Sequence, residues 1–465
     1  MSAAFVVSVI AGALSCVFLV WLIRGLAILI PTRYQPSQKP EDDHIQILVV
    51  GDVGRSPRMQ YHALSVAKHG RNVDIVGYKE TSRHPDLIGN PRVTMYALPP
   101  QPEVLQWGTL PFFLNIPLKV LWQFWGLFST LMYDAPAAKW IIIQPPKNPP
   151  SIPTFHVALL VSFVRGSKLV VDWHNYGYTI LAQGKWYVKP LVPVYRWYET
   201  GFGRYLGDIN LSVTDAMARQ LKEKPFNLKR SILTLHDRPA QVFQPILSTA
   251  KRLAFLSRLA ETKDIAKDIA DGAVRLIVSS TSWTPDEDFG LLLDALVSYA
   301  SSAEASPILA IITGKGPQKD LYLEKIKTLQ EGGKLPGVRI ITAWLSTRDY
   351  ASLLASADLG ISLHKSSSGV DLPMKVVDMF GAGLPVAAYS AFESFSELVK
   401  EGQNGCGFES SSELADILAR LLSFSGQEEL ARLKKGAVSE GSLRWDQEWD
   451  RVVGKAIGLV GEEDI

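Results

Sequence analysis

The chain opens with a long apolar run that contains no charged residue. Residues 3–23 read AAFVVSVIAGALSCVFLVWLI. A helix of this length rises about 31 Å, which matches the hydrocarbon core of a bilayer. A cleaved signal peptide is the alternative, but it usually has a basic stretch before a shorter apolar run. We predict a transmembrane signal anchor at residues 1–24 and a linker at 25–43, of which residues 31–43 are polar and contain prolines.

Basic residues flank this run on its C-terminal side, at Arg24, Arg33 and Lys39, and none precedes it. Lysines and arginines that flank a membrane span are retained in the cytosol. The N-terminus is therefore expected in the lumen of a membrane compartment, and residues 24–465 are expected in the cytosol.

After the linker, short apolar runs alternate with amphipathic stretches. The apolar runs predict strands at 45–51, 73–78, 93–98, 140–144, 168–173, 209–213, 231–236, 274–280, 308–314, 338–344, 359–364 and 384–389. The amphipathic stretches predict helices at 152–165, 190–206, 247–270, 288–304, 317–330, 347–357 and 374–382, and a helical tail at 411–460. A further helix follows the first strand, where Ser56 is expected to cap it and Gly70 to end it. Such alternation predicts an α/β fold with parallel, doubly wound sheets.

A mixed, charged helical segment at 247–270 separates two series of strands. We therefore predict two Rossmann-like domains that face a cleft, at 44–240 and 241–425, followed by a helical tail at 426–465. In such folds, ligands bind outside the carboxyl ends of the strands. Functional residues are thus expected in the loops that follow the strands.

Residues 104–132 do not fit the alternation. They contain three tryptophans and a single charge, Lys119, and they are interrupted by Pro111 and Pro117. Prolines in these positions argue against a second transmembrane helix. Two interpretations stay open: a core helix with its lead-in, or an interfacial segment that lies against the bilayer.

Length, net charge and cysteine content limit the classes of protein to which this chain can belong. A chain of 465 residues exceeds what one hydrophobic core usually serves, so two or three domains are expected. A net charge of +2 gives no field that would attract nucleic acid. Cys16 and Cys406 cannot form a disulfide framework, and no histidine or cysteine spacing is typical of zinc. We predict neither a nucleic-acid partner nor a metal site.

A glycine-containing loop follows the first predicted strand. It contains Gly51, Asp52, Gly54 and Arg55. Glycines allow a ligand to approach the backbone, and the amides at a helix start attract anions. The loop is a candidate phosphate or acceptor site, and a tight turn with a solvated Arg55 explains it equally well.

A more specific pattern lies near the C-terminal end of the chain. A loop that ends at Pro373 leads into a helix whose first-turn amides can bind a diphosphate, with Lys375 as a counter-charge. Asp378 follows on the same helical face and can accept hydrogen bonds from ribose hydroxyls. Gly383 then turns the chain back to the sheet. An ordinary amphipathic helix with a surface lysine–aspartate pair is the alternative.

This pattern resembles the nucleotide-sugar motif of two-domain glycosyltransferases of the GT-B fold. Its letters are PMKVVDMFGAGLPV (373–386), with Asp378 where glutamate is usual. Gly314-Lys315-Gly316-Pro317 resembles the glycine loop that follows a strand of the same domain. The resemblance implies a nucleotide-sugar site that contains Lys375, Asp378, Gly314, Lys315, Ser282 and Gly383.

Longer blocks are similar to one particular family. These blocks are GDVGRSPRMQYHA (51–63), VDWHNYGYT (171–179), HDRP (236–239), SSTSWTPDEDFGLLLDAL (279–296) and GVDLPMKVVDMFGAG (369–383). They resemble the chitobiosyldiphosphodolichol β-mannosyltransferase family over nearly the whole chain. The resemblance implies transfer of mannose from GDP-mannose to GlcNAc₂-diphosphate-dolichol in β-1,4 linkage. It also implies a location on the cytosolic face of the endoplasmic reticulum membrane, in assembly of the N-glycan precursor.

The same resemblance bears on cofactors and partners. Enzymes of the GT-B fold usually hold the diphosphate without a bound metal, so no cofactor is expected and any stimulation by Mg²⁺ would be indirect. Candidate partners are GDP-mannose, dolichol-linked chitobiose diphosphate, the membrane and other mannosyltransferases of the same pathway. One departure is that many relatives carry an Arg–Lys pair where this chain reads SSTSWTPDEDF. Thr281 and Ser282, with backbone amides and Lys375, are the expected replacements.

The implied reaction inverts an α-linked donor, so it needs a general base. The candidates at the ends of predicted strands are Asp52, Asp172, His174 and His236. We favour His174 or Asp172, because an imidazole has a suitable intrinsic pKa and both residues follow a buried strand. Structural roles are the alternatives, as a helix cap for Asp172 and as a hydrogen-bonded loop residue for His174.

Two other functions are compatible with this sequence. The first is a different cytosol-facing, lipid-linked sugar transferase with another donor or linkage. The second is a nucleotide-sugar epimerase-like protein, because one fold can serve unrelated functions.

Overall fold

The computed structural model describes residues 32–105, 111–145, 152–184, 186–285, 287–302 and 305–461, without the side chains of Phe112, Phe113 and Tyr187. The predicted anchor at residues 1–24 lies outside these ranges. Within them, no helix combines the length and the hydrophobicity needed to cross a membrane.

Strands in the first half of the described chain form a seven-stranded sheet. They are β1 (His44–Asp52), β2 (Asn72–Tyr78), β3 (Val93–Ala97), β4 (Trp140–Ile143), β5 (Lys168–Trp173), β6 (Ile209–Ser212) and β7 (Ser231–Thr234). Their order across the sheet is β3-β2-β1-β4-β5-β6-β7. β1 pairs in parallel with both β2 and β4, so the winding direction changes between β1 and β4.

A second, six-stranded sheet follows. Its strands are β8 (Arg275–Ser280), β9 (Ile308–Thr313), β10 (Val338–Ala343), β11 (Leu359–Ser362), β12 (Val386–Tyr389) and β13 (Gly405–Phe408). Their order is β10-β9-β8-β11-β12-β13. β8 pairs in parallel with β9 and β11, and the winding changes direction between β8 and β11. The predicted pair of parallel, doubly wound sheets is confirmed.

Helices connect most of the strands. The α-helices in the described part of the chain are α1 (Pro57–Lys68), α2 (Phe112–Ser129), α3 (Thr154–Arg165), α4 (Gly177–Ala182), α5 (Val192–Trp197), α6 (Asp215–Lys222), α7 (Thr249–Arg258), α8 (Ala266–Ala270), α9 (Phe289–Ala300), α10 (Lys319–Glu331), α11 (Thr347–Ser356), α12 (Met374–Gly381), α13 (Phe395–Leu398), α14 (Ser411–Leu422), α15 (Gln427–Gly441) and α16 (Trp445–Trp449). π-helical turns extend three of them, at Thr130–Asp134, Tyr198–Phe202 and Asp450–Gly454.

Each predicted strand corresponds to an observed one, but β13 was not predicted. Its residues, GCGF, include two glycines, which have low strand propensity. A Cβ at Gly405 would lie 2.6 Å from the carbonyl oxygen of Val386, so close packing on β12 requires glycine here. The stretches predicted as helical at 190–206 and 247–270 are helical but divided. The first changes from α5 to a π-helical turn at Tyr198–Phe202 and a 3₁₀ turn at Gly203–Tyr205, and the second contains α7 and α8.

The start of α1 differs from the expectation for Ser56. Pro57 occupies the first turn as predicted, but Ser56 makes no side-chain capping bond. Its hydroxyl instead donates to the Gln144 side chain at 2.7 Å. Both side chains are buried, and a buried hydroxyl finds a partner wherever the fold supplies one.

Tertiary contacts divide the chain into two compact units. The first is Met1–Val171 with Leu206–Asp208, and the second is Asp172–Tyr205 with Ile209–Ile465. The loop after β5 and the residues around Lys375 therefore belong to the same unit. The predicted domain limits at residues 240 and 425 stay a prediction.

The second sheet is covered on both faces, as a parallel sheet requires. Along β8, Ile277 belongs to a hydrophobic cluster with α9 and α14, whereas Leu276 and Val278 belong to a cluster with α7, α11 and α12. This two-sided packing holds α12 against the sheet. It thereby fixes the position of Lys375 and Asp378.

Two glycines of α15 allow it to lie close to neighbouring backbone. A Cβ at Gly441 would lie 1.8 Å from the carbonyl oxygen of Phe380, at the end of α12, and one at Gly436 would lie 2.0 Å from that of Gln403. Real Cβ atoms do not approach oxygen so closely, so any side chain would push α15 away. The position of α12 thus depends on these glycines.

We expect Gly441→Ala to lower the free energy of unfolding by about 2 kcal/mol or more, because the added methyl group forces two backbone segments apart. Thermal unfolding of the full-length chain in detergent measures the change. Gly51→Ala is the matched control, since a Cβ at Gly51 would meet no atom within 4 Å. Equal melting temperatures for the two variants would contradict the close packing.

Candidate functional site

A cavity of about 550 Å³ lies in the second unit, beside the carboxyl ends of β8, β9 and β10. Its described lining residues are Phe243, Ser280, Thr281, Ser282, Thr313, Gly314, Lys315, Trp344, Leu345, Thr347, Tyr350, Lys375 and Asp378. This is the edge of a doubly wound sheet where ligands bind. The structure therefore brings together five of the predicted nucleotide-sugar residues: Ser282, Gly314, Lys315, Lys375 and Asp378.

Two backbone segments touch at one wall of the cavity. Gly314 has a φ of +126°, and a Cβ there would lie 1.8 Å from the Thr281 carbonyl oxygen. A Cβ at Gly316 would lie 1.7 Å from the Ser282 carbonyl oxygen. The spacing of these glycines is explained by this contact, because only glycine lets the loop after β9 lie on the loop after β8.

Lys375 is held by a buried carboxylate that the sequence analysis did not single out. Its ammonium group forms an ion pair with Glu287, whose side chain is 6% exposed, and it donates to the Ser282 hydroxyl at 3.2 Å. Glu287 also accepts hydrogen bonds from the Thr281 hydroxyl at 3.0 Å and from the Ser282 amide. One carboxylate thus orders both the lysine and the loop after β8.

Asp378 lies one helical turn after Lys375 on α12, and its partly buried carboxyl group has a different environment. Burial raises the pKa of Asp378 to about 8, and the nearby Asp237 carboxylate adds to this shift. The group is therefore largely protonated at neutral pH in the unliganded protein. A protonated carboxyl group can both donate and accept hydrogen bonds.

Hydroxyl groups and an aromatic ring complete the lining. The hydroxyls of Ser280 and Tyr350 are 2.7 Å apart, and Thr313 donates to Ser280 at 3.1 Å. The ammonium group of Lys315 lies 4.0 Å from the centroid of the Trp344 ring, which is 64% exposed. Such an exposed indole offers a flat surface for a nucleobase, and the sequence analysis did not single it out.

The loop before α12 is folded around Asp371. The buried Asp371 carboxylate accepts hydrogen bonds from the hydroxyls of Ser366 and Ser368, and it lies 3.3 Å from the His364 ring. Burial alone would raise the pKa of Asp371, but its bonds to His364 and Ser366 lower it, so it is ionised. Helix α12 begins after Pro373 without a side-chain cap. The Val376 amide donates to the Pro373 carbonyl oxygen at 2.9 Å, which leaves the amides of Met374 and Lys375 to other acceptors.

The loop after β5 carries the preferred base candidates. Trp173 is fully buried and donates to the Asn210 side chain at 3.0 Å. Asp172 is also fully buried, whereas His174 is half-buried, with its Nδ1 atom 3.4 Å from the Asp172 carbonyl oxygen. The hydroxyl of Ser367 lies 3.4 Å from the Asn175 side chain, which links this loop to the loop before α12. Among the described residues, the cavity lining includes neither His174 nor Asp172.

The buried side chain of Glu199 bonds to the backbone that follows this loop. Glu199 accepts hydrogen bonds from the amides of Gly177 and Tyr178 at 2.9 and 3.2 Å, at the start of α4. Burial raises the pKa of Glu199 to about 7, although these two bonds act in the opposite direction. Glu199 therefore fixes the backbone that follows His174.

His236 lies between two carboxylates and has a structural role. Its two ring nitrogens lie 3.6 Å from Glu397 and 3.5 Å from Glu448. Burial alone would lower the pKa of His236, but these carboxylates raise it to about 9. A histidine that is protonated at neutral pH cannot accept a proton, so His236 is a poor general base.

Asp52, in the loop after β1, also has several hydrogen-bond partners that give it a structural role. Its carboxylate accepts from the amides of Gly54, Glu80 and Thr81 at 3.1–3.3 Å and from the Thr81 hydroxyl. Burial alone would raise the pKa of Asp52, but these bonds lower it. Arg55 lies 3.5 Å from Asp52 and is 75% exposed. Asp52 thus organises the loop and is poorly suited to accept a proton.

The remaining glycine candidates have different surroundings. A Cβ at Gly54 would lie 2.3 Å from the Thr81 hydroxyl, whereas one at Gly51 would meet nothing within 4 Å. Gly383 has a φ of +74°, and its Cβ position would lie 2.9 Å from Val438. Among the described residues, Gly383 lies outside the cavity lining and serves the turn after α12.

The chain is similar to named proteins over nearly its whole length. It is 45% identical over 440 residues to the chitobiosyldiphosphodolichol beta-mannosyltransferase of Arthroderma benhamiae, which covers 93% of this chain and 95% of that protein. The chain belongs to the chitobiosyldiphosphodolichol β-mannosyltransferase family. The protein of the same name from Mus musculus is 38% identical over 473 residues, which cover 95% of both chains. No protein-family model matches.

One relative carries a different name. The UDP-glycosyltransferase TURAN of Arabidopsis thaliana is 40% identical over 453 residues, which cover 87% of this chain and 95% of that protein. The name of this relative gives a uridine nucleotide, whereas the name shared by the other two relatives gives transfer of mannose to chitobiosyldiphosphodolichol.

Solved structures support the fold of this β-mannosyltransferase family member. The Anabaena protein Alr3699/HepE in complex with UDP is 15% identical, with a TM-score of 0.59 over 90% of this chain and 99% of that chain. Sucrose-phosphate synthase from Thermosynechococcus elongatus is 13% identical, with a TM-score of 0.61 over 89% of this chain and 98% of that chain. The fold is a GT-B-like α/β fold, and the chain is a glycosyltransferase.

The raised pKa of Asp378 predicts a pH-dependent stability. In the unfolded chain this group ionises near pH 4, whereas the folded chain keeps the proton up to about pH 8. Folding then takes up a proton, so the stability falls as the pH rises between these values. We expect Asp378→Asn to stabilise the unliganded chain above pH 7 by on the order of 2 kcal/mol, an advantage that disappears toward pH 4.

Thermal melts of both proteins across this pH range provide the measurement. Asp237→Asn serves as the companion variant, because loss of that neighbouring charge lowers the pKa of Asp378 and moves the dependence to lower pH. A stability difference that does not change with pH would contradict this account of Asp378.

Proposed function

We propose that the chain transfers mannose from GDP-mannose to GlcNAc₂-diphosphate-dolichol and forms the first β-1,4-mannosyl linkage of the lipid-linked N-glycan precursor. The observation that carries this proposal is the 45% identity to a named chitobiosyldiphosphodolichol beta-mannosyltransferase over 93% of the chain. The cavity beside β8 and β9 supports it, because its lysines suit a diphosphate and its carboxyl group suits a ribose.

In this proposal the cavity holds the nucleotide. Lys375 and Lys315 offset the charge of the diphosphate, and Ser282 and the first-turn amides of α12 donate hydrogen bonds to it. Asp378 bonds the ribose hydroxyls, and Gly314 keeps the loop after β9 in contact with the loop after β8. Glu287 acts through Lys375, because it holds the ammonium group and the loop after β8 in place before the donor arrives.

The reaction follows from the two linkages. The donor is α-linked and the product is β-linked, so a single displacement inverts the anomeric carbon. The acceptor hydroxyl oxygen bonds to this carbon as its bond to the diphosphate breaks, and the hydroxyl proton passes to a base. We propose His174 or Asp172 as the base, since Asp172 lies near the carboxyl end of β5 and His174 directly follows this strand. Asp52 and His236 suit this role less, because each is already held in its charged form by neighbouring groups.

No bound metal is needed in this scheme. The charge that develops on the leaving diphosphate would be stabilised by the lysines and amides of the cavity, as in other glycosyltransferases of the GT-B fold. Any stimulation by Mg²⁺ would then act on the free nucleotide or the lipid and be indirect.

The proposed location follows from the N-terminal sequence. The apolar run at 3–23 would cross the endoplasmic reticulum membrane once, with the N-terminus in the lumen and the catalytic residues in the cytosol. The chain would then reach a dolichol-linked acceptor in the same membrane. Other mannosyltransferases of the pathway are proposed as neighbours, since they act on successive products of one lipid carrier.

A uridine nucleotide donor is the second candidate. It is favoured by the name of the Arabidopsis thaliana relative, UDP-glycosyltransferase TURAN. An epimerase-like function is not favoured, because the named relatives are transferases.

We expect the full-length chain in detergent to transfer labelled mannose to lipid-linked chitobiose diphosphate, and GDP to compete with the donor more strongly than UDP. The double variant Lys375→Ala, Asp378→Ala should lose at least about tenfold in GDP affinity, because it loses hydrogen bonds to charged groups. Lys365→Ala is the control, since Lys365 pairs with Asp288 at 3.2 Å and lies outside the described cavity lining. Unchanged GDP affinity and transfer in the double variant would overturn the proposal.

The base assignment has a separate test. We expect at least one of His174→Ala and Asp172→Asn to lower kcat by about 100-fold or more while the affinity for GDP stays the same. His69→Ala, a half-buried histidine that follows α1, is the control and should keep full activity. The assignment fails if both variants retain most of their turnover.

A further inference from the structure

Helix α2 carries a row of exposed apolar side chains in the first unit. Leu114, Leu118, Leu121 and Trp125 are 48%, 42%, 64% and 59% exposed. Their spacing of four, three and four residues places them on one face of the helix. The opposite side is core, since Leu127 is buried with the following Leu131 and Met132. Residues 104–132 are thus partly a core element and partly an exposed apolar surface.

No charge interrupts this row. The only charged residue of α2 in the sequence is Lys119, which is 8% exposed. Burial lowers the pKa of Lys119, which is consistent with a side chain turned away from water. A helix face normally exposed to water would carry its charged residue outward.

Helix α3, which packs against α2, has a second exposed apolar row. Leu159, Leu160 and Phe163 are 37%, 40% and 80% exposed. Single exposed apolar residues are common in soluble proteins, but exposed rows on two helices that pack against each other indicate an interaction surface. We call the seven residues Leu114, Leu118, Leu121, Trp125, Leu159, Leu160 and Phe163 the α2–α3 face.

A buried arginine ties the N-terminal segment to these same two helices. Arg165, at the end of α3, donates to the carbonyl oxygens of Leu131 and Ala135, at 2.7 Å each, just after α2. Its guanidinium also donates to the carbonyl oxygen of Thr32 at 3.1 Å, and its own carbonyl accepts from the Tyr34 amide at 2.7 Å. The chain that follows the apolar run is therefore fixed at the ends of α2 and α3.

This attachment limits how far the α2–α3 face can lie from the apolar run. The run ends at residue 23, which precedes Thr32 by nine positions (32 minus 23). Nine residues span at most about 30 Å. A segment of that reach keeps helices α2 and α3 next to any membrane that the apolar run enters.

We propose that the α2–α3 face lies in the interfacial layer of the bilayer that the N-terminal run enters. The inference rests on the proposed function only in taking the run at 3–23 as a membrane anchor. Lipid is the occupant because the Arg165 attachment brings an apolar anchor to this place, and because leucine, phenylalanine and tryptophan rows without charge are typical of interfacial helices. The face would hold the first unit against the membrane beside the lipid-linked acceptor.

Environment-sensitive labels test the proposal directly. Leu121→Cys and Phe163→Cys are introduced into the full-length Cys16→Ser chain, in which the buried Cys406 remains, and are labelled with the fluorophore NBD. In phosphatidylcholine proteoliposomes, both labels should emit at shorter wavelength and be quenched by brominated lipid. Leu321→Cys and Phe424→Cys, which are 52% and 86% exposed outside this face, should behave as in water.

Three results would overturn the proposal. One is water-like emission from both labels in proteoliposomes. Another is a shift to shorter wavelength without quenching by brominated lipid, which would mean that a protein partner or a second copy covers the face. The third is equal quenching at the control positions. The measurement does not use sugar transfer, so it stands whether or not the proposed reaction is correct.

A kinetic experiment relates the face to the lipid acceptor. We expect the double variant Leu121→Glu, Phe163→Glu to raise the KM for dolichol-linked acceptor in membranes by about tenfold, since charged side chains disfavour the apolar layer. Its GDP affinity and its turnover of a short-chain, water-soluble acceptor should not change. Phe424→Glu is the matched control. Equal losses with both acceptors would indicate misfolding of the first unit and would contradict a role limited to lipid contact.

Discussion

The Glu287 carboxylate joins three segments of the second unit. It pairs with Lys375 on α12 and accepts bonds from Thr281 and Ser282 after β8, and its backbone bridges to His364 after β11. Removal of any of these partners would leave a buried polar group without a bond that compensates for its burial. The geometry of the candidate donor site therefore depends on Glu287, although this acidic residue would not itself bind an anionic ligand.

Two acidic groups near α12 differ because their neighbours differ. Glu287 faces a lysine and several donors, while Asp378 is raised in pKa by burial and by the Asp237 carboxylate. A ligand hydroxyl would bond to the Asp378 carboxyl group, and a negatively charged ligand group would be attracted to Lys375. In the proposed binding mode, Asp378 would contact the ribose of a nucleotide and Lys375 its diphosphate.

The fold also separates catalytic candidates from structural ones. Asp52 and His236 follow strands, as Asp172 and His174 do. The Asp52 carboxylate, however, already accepts bonds from several donors, and His236 lies between two carboxylates. Position after a strand is therefore a weak criterion by itself. The loop after β5 differs in that Trp173 and Glu199 fix its backbone while His174 stays partly exposed.

The local pattern of apolar and polar residues determined much of the secondary structure of this protein. Buried parallel strands have continuous apolar runs, so the strands and the doubly wound sheets followed from the sequence, and the lysine–aspartate spacing on α12 followed from helical periodicity. Only the tertiary structure decided what depends on distant residues: glycine-rich β13 as a strand, Ser56 bonded to Gln144, and Glu287 paired with Lys375. The physical reason is that periodicity reports which face of an element is buried, whereas polar partners and pKa values depend on groups that the sequence places far apart.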